Sequence, residues 1–237
     1  MPGLLVLRTR GLRAALSWGH PDGLKGGTAP ERVDELRQAM RAAAALGCAV
    51  VRLVCGNHFT FTTPVDDRMA RLAPMLRDLA DEAVALGLVL AIENHADFRM
   101  GDLVRLVEGV GSDRLGICFD TGNAVRVGDD LIDAARLAAP FVKMVHLKDM
   151  IVRAEDRGDP TAWWPSVPVG RGEFDISGFV DVLAAKGFAG TLYVELANMR
   201  PAWADEDAAV AESITWTRAL LAERGLLRRA ESRASAV

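Results

Sequence analysis

The sequence predicts an α/β fold of the (β/α)8-barrel type, in which parallel strands alternate with amphipathic helices. Two observations predict it. Short apolar runs alternate along the chain with longer helical stretches. Four of those runs, GLVLAIENH (Gly87 to His95), LGICFDTGN (Leu115 to Asn123), FVKMVHLKD (Phe141 to Asp149) and TLYVELAN (Thr191 to Asn198), are apolar almost throughout, as strands covered on both faces must be. Each run carries a metal-capable side chain at or just past its apolar stretch: Glu93, Asp120, His146 and Glu195. In a barrel the carboxyl ends of all strands meet on one face, so these four side chains converge. Two glutamates, an aspartate and one imidazole form a hard, oxygen-rich set suited to Mn²⁺, Mg²⁺ or Co²⁺.

Taken in order, the first clear strand is Gly11 to Gly19, followed by a loop rich in glycine and proline. Ala42 to Ala45 favour a helix from about Pro30 to Leu46, and Gly47 stops it. Cys48 to Gly56 is the second strand. A helix from about Asp66 to Leu86 follows, with Pro74 as a kink or as its true start and Gly87 as its stop. Further helices fall near Asp102 to Val110, Asp129 to Ala138, Ile176 to Lys186 and Asp205 to Arg224, between the four strands named first. That makes six strands and six helices. The deficit from eight lies at the N-terminus, where Leu4 to Arg10 leave no room for two units of about 25 to 30 residues. The expectation is a barrel lacking its first two strand-helix units.

The chain has 237 residues, half of them hydrophobic, enough for a single domain over 1–237. A net charge of -4 gives no basic field for nucleic acid or an anionic membrane, which leaves a small soluble substrate. No stretch approaches the roughly 20 apolar residues of a membrane span, and no signal sequence is evident, so a cytoplasmic location is expected. Cys48, Cys55 and Cys118 sit in apolar segments without CxxC spacing and read as reduced core thiols. Gly170-Arg171-Gly172-Glu173 lacks GxGxxG spacing and does not directly follow a strand, so it reads as a turn, with Asp175 capping the next helix.

The segments AIENH at 91–95, CFDTGN at 118–123, VHLKD at 145–149, VGRGEFD at 169–175 and YVEL at 193–196 resemble, in order and interval, those of the sugar phosphate isomerase/epimerase family, the xylose isomerase-like TIM barrels. The resemblance runs from about Gly11 to Gly225. It implies that Glu93, Asp120, His146 and Glu195 hold one divalent ion, Mn²⁺ foremost, with Glu93 and Glu195 as the acid/base pair on either side of a bound sugar. The implied reaction is proton transfer beside a carbonyl through an enediolate, ending in isomerisation or epimerisation. Loss of a β-hydroxyl from the same intermediate, as in inosose dehydratases, is the alternative. An apurinic endonuclease-like site is disfavoured by the four histidines and the acidic balance, and an inactive truncated barrel is the remaining reading. A homodimer or homotetramer is also implied.

Around this set, His95, Asn123, Lys148 and His58 are candidate substrate contacts. Asn123 stands where several relatives place a histidine. His95 reads rather more as a simple carbonyl partner than as a substrate contact, and Lys148 with Asp149 can also form an ion pair at the rim. The long 150–172 loop would close over the same face and offers Arg153, Trp163 and Trp164 to substrate, unless the tryptophans merely pack. Arg171 and His20 read as solvated loop residues.

Overall fold

The computed structural model describes residues 12–152, 164–199 and 201–227. Strands β1 (Leu16–Ser17), β2 (Val50–Val54), β3 (Val89–Glu93), β4 (Leu115–Asp120), β5 (Val142–Leu147) and β8 (Thr191–Val194) form one parallel sheet in the order β1-β2-β3-β4-β5-β8. A separate antiparallel ribbon pairs β6 (Asp149–Met150) with β7 (Ser166–Val167). The helices among the described residues are α1 (Arg32–Leu46), α2 (Val65–Leu86), α3 (Met100–Val110), α4 (Thr121–Arg126), α5 (Leu131–Ala138), α6 (Ile176–Ala185) and α7 (Glu206–Glu223). The six-stranded parallel sheet with its helices is the expected α/β barrel architecture, with β1 and β8 as edges among the described residues.

The main strands are two-layered by alternation. Leu53, Ile92, Phe119 and Val145 face outward and join Leu36, Leu72, Leu79, Leu103 and Phe179 of the helices in one buried core. Each such side chain, fully buried, contributes roughly 1.5–3 kcal/mol relative to exposure. The other face carries Ala91, Cys118 and Met144, against which Val50 and Tyr193 pack. All three cysteines are free and buried. Strand β8 is only half-buried along its length, and the groove of about 680 Å³ between it, α6 and α7 is lined by Val210, Ile214 and Leu226.

Helix boundaries follow local chemistry. Asp120, Asp130, Asp175 and Asp205 cap α4, α5, α6 and α7, each accepting from a backbone N–H two or three residues on. Gly47 and Gly87 end α1 and α2 in the left-handed region, as expected of a C-terminal stop. Helix α2 runs through Pro74, which neither starts it nor breaks it. Several strands are shorter than their apolar runs: the first is two residues, β3 ends at Glu93 and β8 at Val194. The run through Asn123 changes at Asp120, whose side chain turns the chain into the unforeseen helix α4.

Two loop systems crown the carboxyl ends of the strands. In one, Asp149 accepts from the backbone N–H groups of Gly170 (2.9 Å), Gly172 (2.9 Å) and Phe174 (3.2 Å), so a single carboxylate shapes the turn before α6. Asp149 is therefore a backbone organiser and not the ion-pair partner of Lys148. In the other, the buried Arg68 of α2 donates through Nε to the Thr63 carbonyl (3.1 Å) and through a terminal nitrogen to the Asp97 carbonyl, with its plane 4.2 Å over the Phe98 ring. The Asp97 carboxylate is itself buried and has no hydrogen bond among the described residues, and burial pushes it up to about 7.

A Cβ at Gly172 would lie 1.9 Å from Asp149 Oδ1. Gly172→Ala therefore displaces that carboxylate and lowers stability by roughly 2–4 kcal/mol, read as a reduced urea midpoint. Because the Asp97 carboxyl is raised in the folded state, the stability it contributes is full below the unfolded value near 3.8 and is lost as pH rises through about 7. Asp97→Asn removes this dependence. Its stability relative to wild type, measured by urea unfolding at pH 5 and pH 8.5, should improve at the higher pH by on the order of 2–4 kcal/mol; an unchanged difference would refute the assignment.

Candidate active site

The inward face that carries Ala91, Cys118, Met144 and Tyr193 continues, two residues further along each strand, as Glu93, Asp120, His146 and Glu195. Arg52 stands two residues beyond Val50 on the same face of β2. Parallel pairing sets Val54 beside Glu93, Glu93 beside Cys118, and Asp120 beside His146, so the four predicted groups meet at one end of the sheet. Glu195 follows β8 directly, with its N–H donated to the Leu147 carbonyl at 3.1 Å.

Cross-strand clamps fix this rim. Asn94 donates to the Asp120 carbonyl (2.9 Å) and accepts from the Asp120 N–H (2.7 Å), which completes the β3–β4 pairing with a side chain. Thr121 does the same for Lys148, donating to its carbonyl (2.7 Å) and accepting from its N–H (2.8 Å). The first turn of α4 then brings Asn123 over Glu93, where Nδ2 donates to Oε1 at 3.2 Å, while the Asn123 N–H donates to Asp120 Oδ1 at 2.8 Å.

His146 Nδ1 lies 2.7 Å from Glu195 Oε2 and 3.1 Å from Glu93 Oε2. Lys148 Nζ lies 2.8 Å from Asp120 Oδ2 and 3.2 Å from Glu195 Oε1. Arg52 donates through Nε to Glu93 Oε2 and through a terminal nitrogen to the Trp18 carbonyl. Burial opposes the Glu93 charge, but His146 and Arg52 outweigh it and hold this carboxyl well below its usual range. Glu195 is likewise lowered, against burial, by His146 and Lys148. Burial dominates at Asp120 and raises it despite Lys148. His146 is pushed up to about 12, against burial, by Cys118, Glu195 and Glu93.

Whether these residues suit a metal is decided by their unsatisfied atoms. Asp120 Oδ2, His146 Nδ1 and Glu195 Oε2 are buried and in close approach, yet none is aligned in a hydrogen bond. Ligand atoms of Asp120, His146 and Glu195 all lie within 4.8 Å of one another, as do those of Glu93, Cys118 and His146. Three converging oxygen and nitrogen donors, in ion pairs with Lys148 or with one another, fit a divalent cation. Burial raises the Cys118 thiol to about 12, so it stays protonated and is no thiolate ligand.

Of the remaining candidates, Lys148 and Asn123 touch the metal-capable set directly, as described. His95 is mostly buried beyond β3, and its Nδ1 has no hydrogen-bond partner among the described residues. His58 lies half-buried in a 3-10 turn after β2. Trp164 is buried in the apolar core. Arg153 and Trp163 lie outside the described residues. Arg171 pairs with Glu212 on the surface, and His20 is half-buried beside Trp18. Sequence reasoning missed Arg52 and Asn94. A lone arginine within the apolar run CAVVRLVCG was the signal for the first, because a charge inside a buried strand requires a partner.

Comparison with known proteins agrees with this arrangement. Residues 7–220 match the family model described as xylose isomerase-like TIM barrel. The chain is 29% identical over 126 residues to a 3-oxo-isoapionate decarboxylase of Pectobacterium atrosepticum, covering 53% of this chain and 44% of that protein. It is 26% identical over 159 residues to an inosose dehydratase of Lacticaseibacillus casei, covering 62% and 51%. Thus the matches span about half the length of these curated relatives or less. Among solved structures, an L-ribulose 3-epimerase superposes with a TM-score of 0.75 at 20% identity over 98% of this chain and 83% of that one. A Mycobacterium smegmatis xylose isomerase-like TIM-barrel protein in complex with magnesium superposes at 0.71, with 16% identity over 94% and 77%. Carried by the match over most of its length and by the convergence of its strand ends, this chain belongs to the xylose isomerase-like TIM-barrel family.

Proposed function

We propose that the protein is a divalent-metal-dependent enzyme, an isomerase or epimerase in class, that moves a proton on the carbon beside the carbonyl of a small carbohydrate. The observation that carries this reading is the meeting of two glutamates from different strands, Glu93 and Glu195, on the same His146 nitrogen, beside an aspartate whose inward oxygen is held by Lys148. Glu93, Asp120, His146 and Glu195 would hold the ion, with Mn²⁺ preferred and Mg²⁺ or Co²⁺ accepted on the chemistry of the donors. A bound ion supplies a Lewis acid that polarises the carbonyl and offsets charge developing on its oxygen.

The two glutamates are differently equipped as proton carriers. Both oxygens of Glu93 are engaged, one by Arg52 and one by Asn123, and the side chain is 1% exposed. It is held ionised and oriented toward a fixed point. Glu195 is 39% exposed, and its Oε2 has no aligned hydrogen bond. The geometry supports Glu195 as the carboxylate whose proton exchanges with solvent and Glu93 as the partner on the buried side of the substrate. Lys148, between Asp120 and Glu195, keeps both carboxylates charged and presents a cation toward the reacting oxygens.

Charge balance supports an enediolate. The three carboxylates total −3 and Arg52 with Lys148 total +2, which leaves −1; a divalent ion brings the neutral-imidazole site to +1. Transfer of the substrate proton to one of the glutamates would leave protein and ion at +2 around an enediolate of −1, so the total stays at +1 and the developing negative charge lies in a cationic site. The same balance serves loss of a β-hydroxyl, so dehydration is the second reading, favoured by the inosose dehydratase relative. Product analysis separates the two.

Glu93→Gln and Glu195→Gln should each slow deuterium incorporation from D₂O into ketose, hydroxypyruvate or inosose substrates by about 10²- to 10⁴-fold, with circular dichroism and melting temperature retained; wild-type exchange in either variant would sink the acid/base assignment. Metal must also displace a proton from His146, which is raised to about 12 in the metal-free site. Below that value, apparent Mn²⁺ affinity measured by equilibrium dialysis should rise about tenfold per pH unit, with proton release. Asp120→Ala should abolish stoichiometric binding, and a pH-independent affinity would show that His146 is not a ligand.

A further inference from the structure

A second polar cavity lies away from the four metal-capable residues, between the loop that follows β1 and the first turns of α2. It holds about 380 Å³ and shares no lining residue with the site above. Lys25, Arg68 and Arg71 line it, with the hydroxyl-bearing Thr60 and Thr63 beside them; Asp22 is the lone acid among the lining residues. That acid is occupied, accepting from Asn57 Nδ2 at 2.7 Å.

The state of the arginines points to a missing counter-ion. Arg68 is 1% exposed, yet its hydrogen bonds among the described residues go to carbonyl oxygens, those of Thr63 and Asp97, and it makes no ion pair among them. A buried cation ordinarily carries a paired anion, because desolvation without one is costly. The nearby Asp97 carboxyl answers this charge only in part, since it accepts no hydrogen bond from Arg68 and burial pushes it up to about 7. Arg71 uses Nε on the Gly26 carbonyl at 3.1 Å, with its terminal nitrogens making no ion pair among the described residues. Lys25 Nζ has no partner among them either, and is held at the rim by a backbone with positive φ.

The cavity is also built to keep its shape. A Cβ on Gly27 would come within 2.5 Å of Arg71 Cβ, and one on Gly26 within 3.3 Å of the Arg68 stem, so the loop backbone is laid directly on α2. The Gly26 N–H is fixed to the Cys55 carbonyl at 2.8 Å and the Leu24 N–H to that of Val54 at 3.2 Å, which ties the loop to the end of β2. Three cations converge on a rigid space with the Thr63 hydroxyl at its wall.

We propose that this cavity binds the phosphate group of a small phosphorylated metabolite, separately from the metal centre. Arg68 provides the fixed inner charge, Arg71 and Lys25 close on the outer oxygens, and the Thr63 hydroxyl donates to the remainder, the Thr60 hydroxyl being spent on the Asn57 carbonyl at 2.8 Å. A tetrahedral dianion with several acceptor oxygens uses three cations and a hydroxyl better than a planar carboxylate does. The volume leaves room for the carbon skeleton of a small ester.

The test is thermal unfolding of the full chain titrated with inorganic phosphate and, in parallel, with sodium acetate at matched ionic strength. A saturable rise in melting temperature with phosphate alone is expected. Lys25→Met and Arg71→Gln should each raise the half-saturating phosphate concentration about tenfold, and the metal-site variant Asp120→Asn should keep the wild-type response. The Lys25 ammonium has no partner among the described residues, so its variant reports on binding even if Arg71→Gln loosens the loop. A non-saturating response, an equal response to acetate, an unchanged response in Lys25→Met or a response lost in Asp120→Asn would each overturn the proposal.

Discussion

The structure turns on how three carboxylates are kept charged at the ends of buried strands. Glu93 and Asp120 are almost completely inaccessible, and Glu195 is partly exposed. Without compensation, such groups would protonate or destabilise the sheet. Arg52 answers Glu93, Lys148 answers Asp120 and Glu195, and His146 bridges the two glutamates. The cations come from neighbouring strands, so the pairing that assembles the sheet also assembles the charge balance. A change of one residue in register would turn an inward carboxylate out among the helices, because side-chain direction reverses at every position. Fold and site are thereby specified by the same hydrogen-bond ladder.

That coupling explains the clamps around the rim. Strand ladders end where the polar groups begin, and unpaired backbone there would fray. Asn94 and Thr121 extend the ladder with side chains, each donating and accepting across one junction, and both act on the backbone of a residue in the charged set. Asp149 has a similar role further out, where it gathers the N–H groups of the turn at 170–174. The polar side chains nearest the site are thus divided between those that offer free atoms inward and those spent on holding backbone. Asp120 does both: one oxygen caps α4 and the other faces Lys148 among the converging donors.

The elements legible in the sequence were those with strong local signals. Apolar runs located the strands, glycine stops located the ends of α1 and α2, and an aspartate cap located α6. Convergence of Glu93, Asp120, His146 and Glu195 was legible too, because each marks the end of a run and parallel strands share a polar end. What escaped was non-local. Asn94 reads as an ordinary polar residue until the Asp120 backbone is placed opposite it, and Asp149 reads as a charge partner for Lys148 until the 170–174 turn folds over it. Helix α4 escaped because its six residues are fewer than the pattern of a helix requires, and its start depends on one side-chain cap.

The two buried arginines show why residue type alone does not assign a role. Arg52 and Arg68 are both sequestered on or beside the second strand-helix unit, and each is anchored in some measure by a backbone carbonyl. Arg52 has Glu93 as its counter-charge, so its cost of burial is met within the chain and its effect is to orient a carboxylate. Arg68 donates to carbonyl oxygens and lies over an aromatic face, while the nearby Asp97 carboxyl, raised by burial to about 7, offsets its charge only in part. The same guanidinium group is therefore a positioning element in one setting and an open electrostatic demand in the other. The difference lies in whether a neighbouring strand delivers a hydrogen-bonded carboxylate to it: β3 delivers Glu93 to Arg52, while the chain after β3 gives Arg68 a hydrogen bond to the backbone oxygen of Asp97 and leaves that carboxyl nearby without one to the guanidinium.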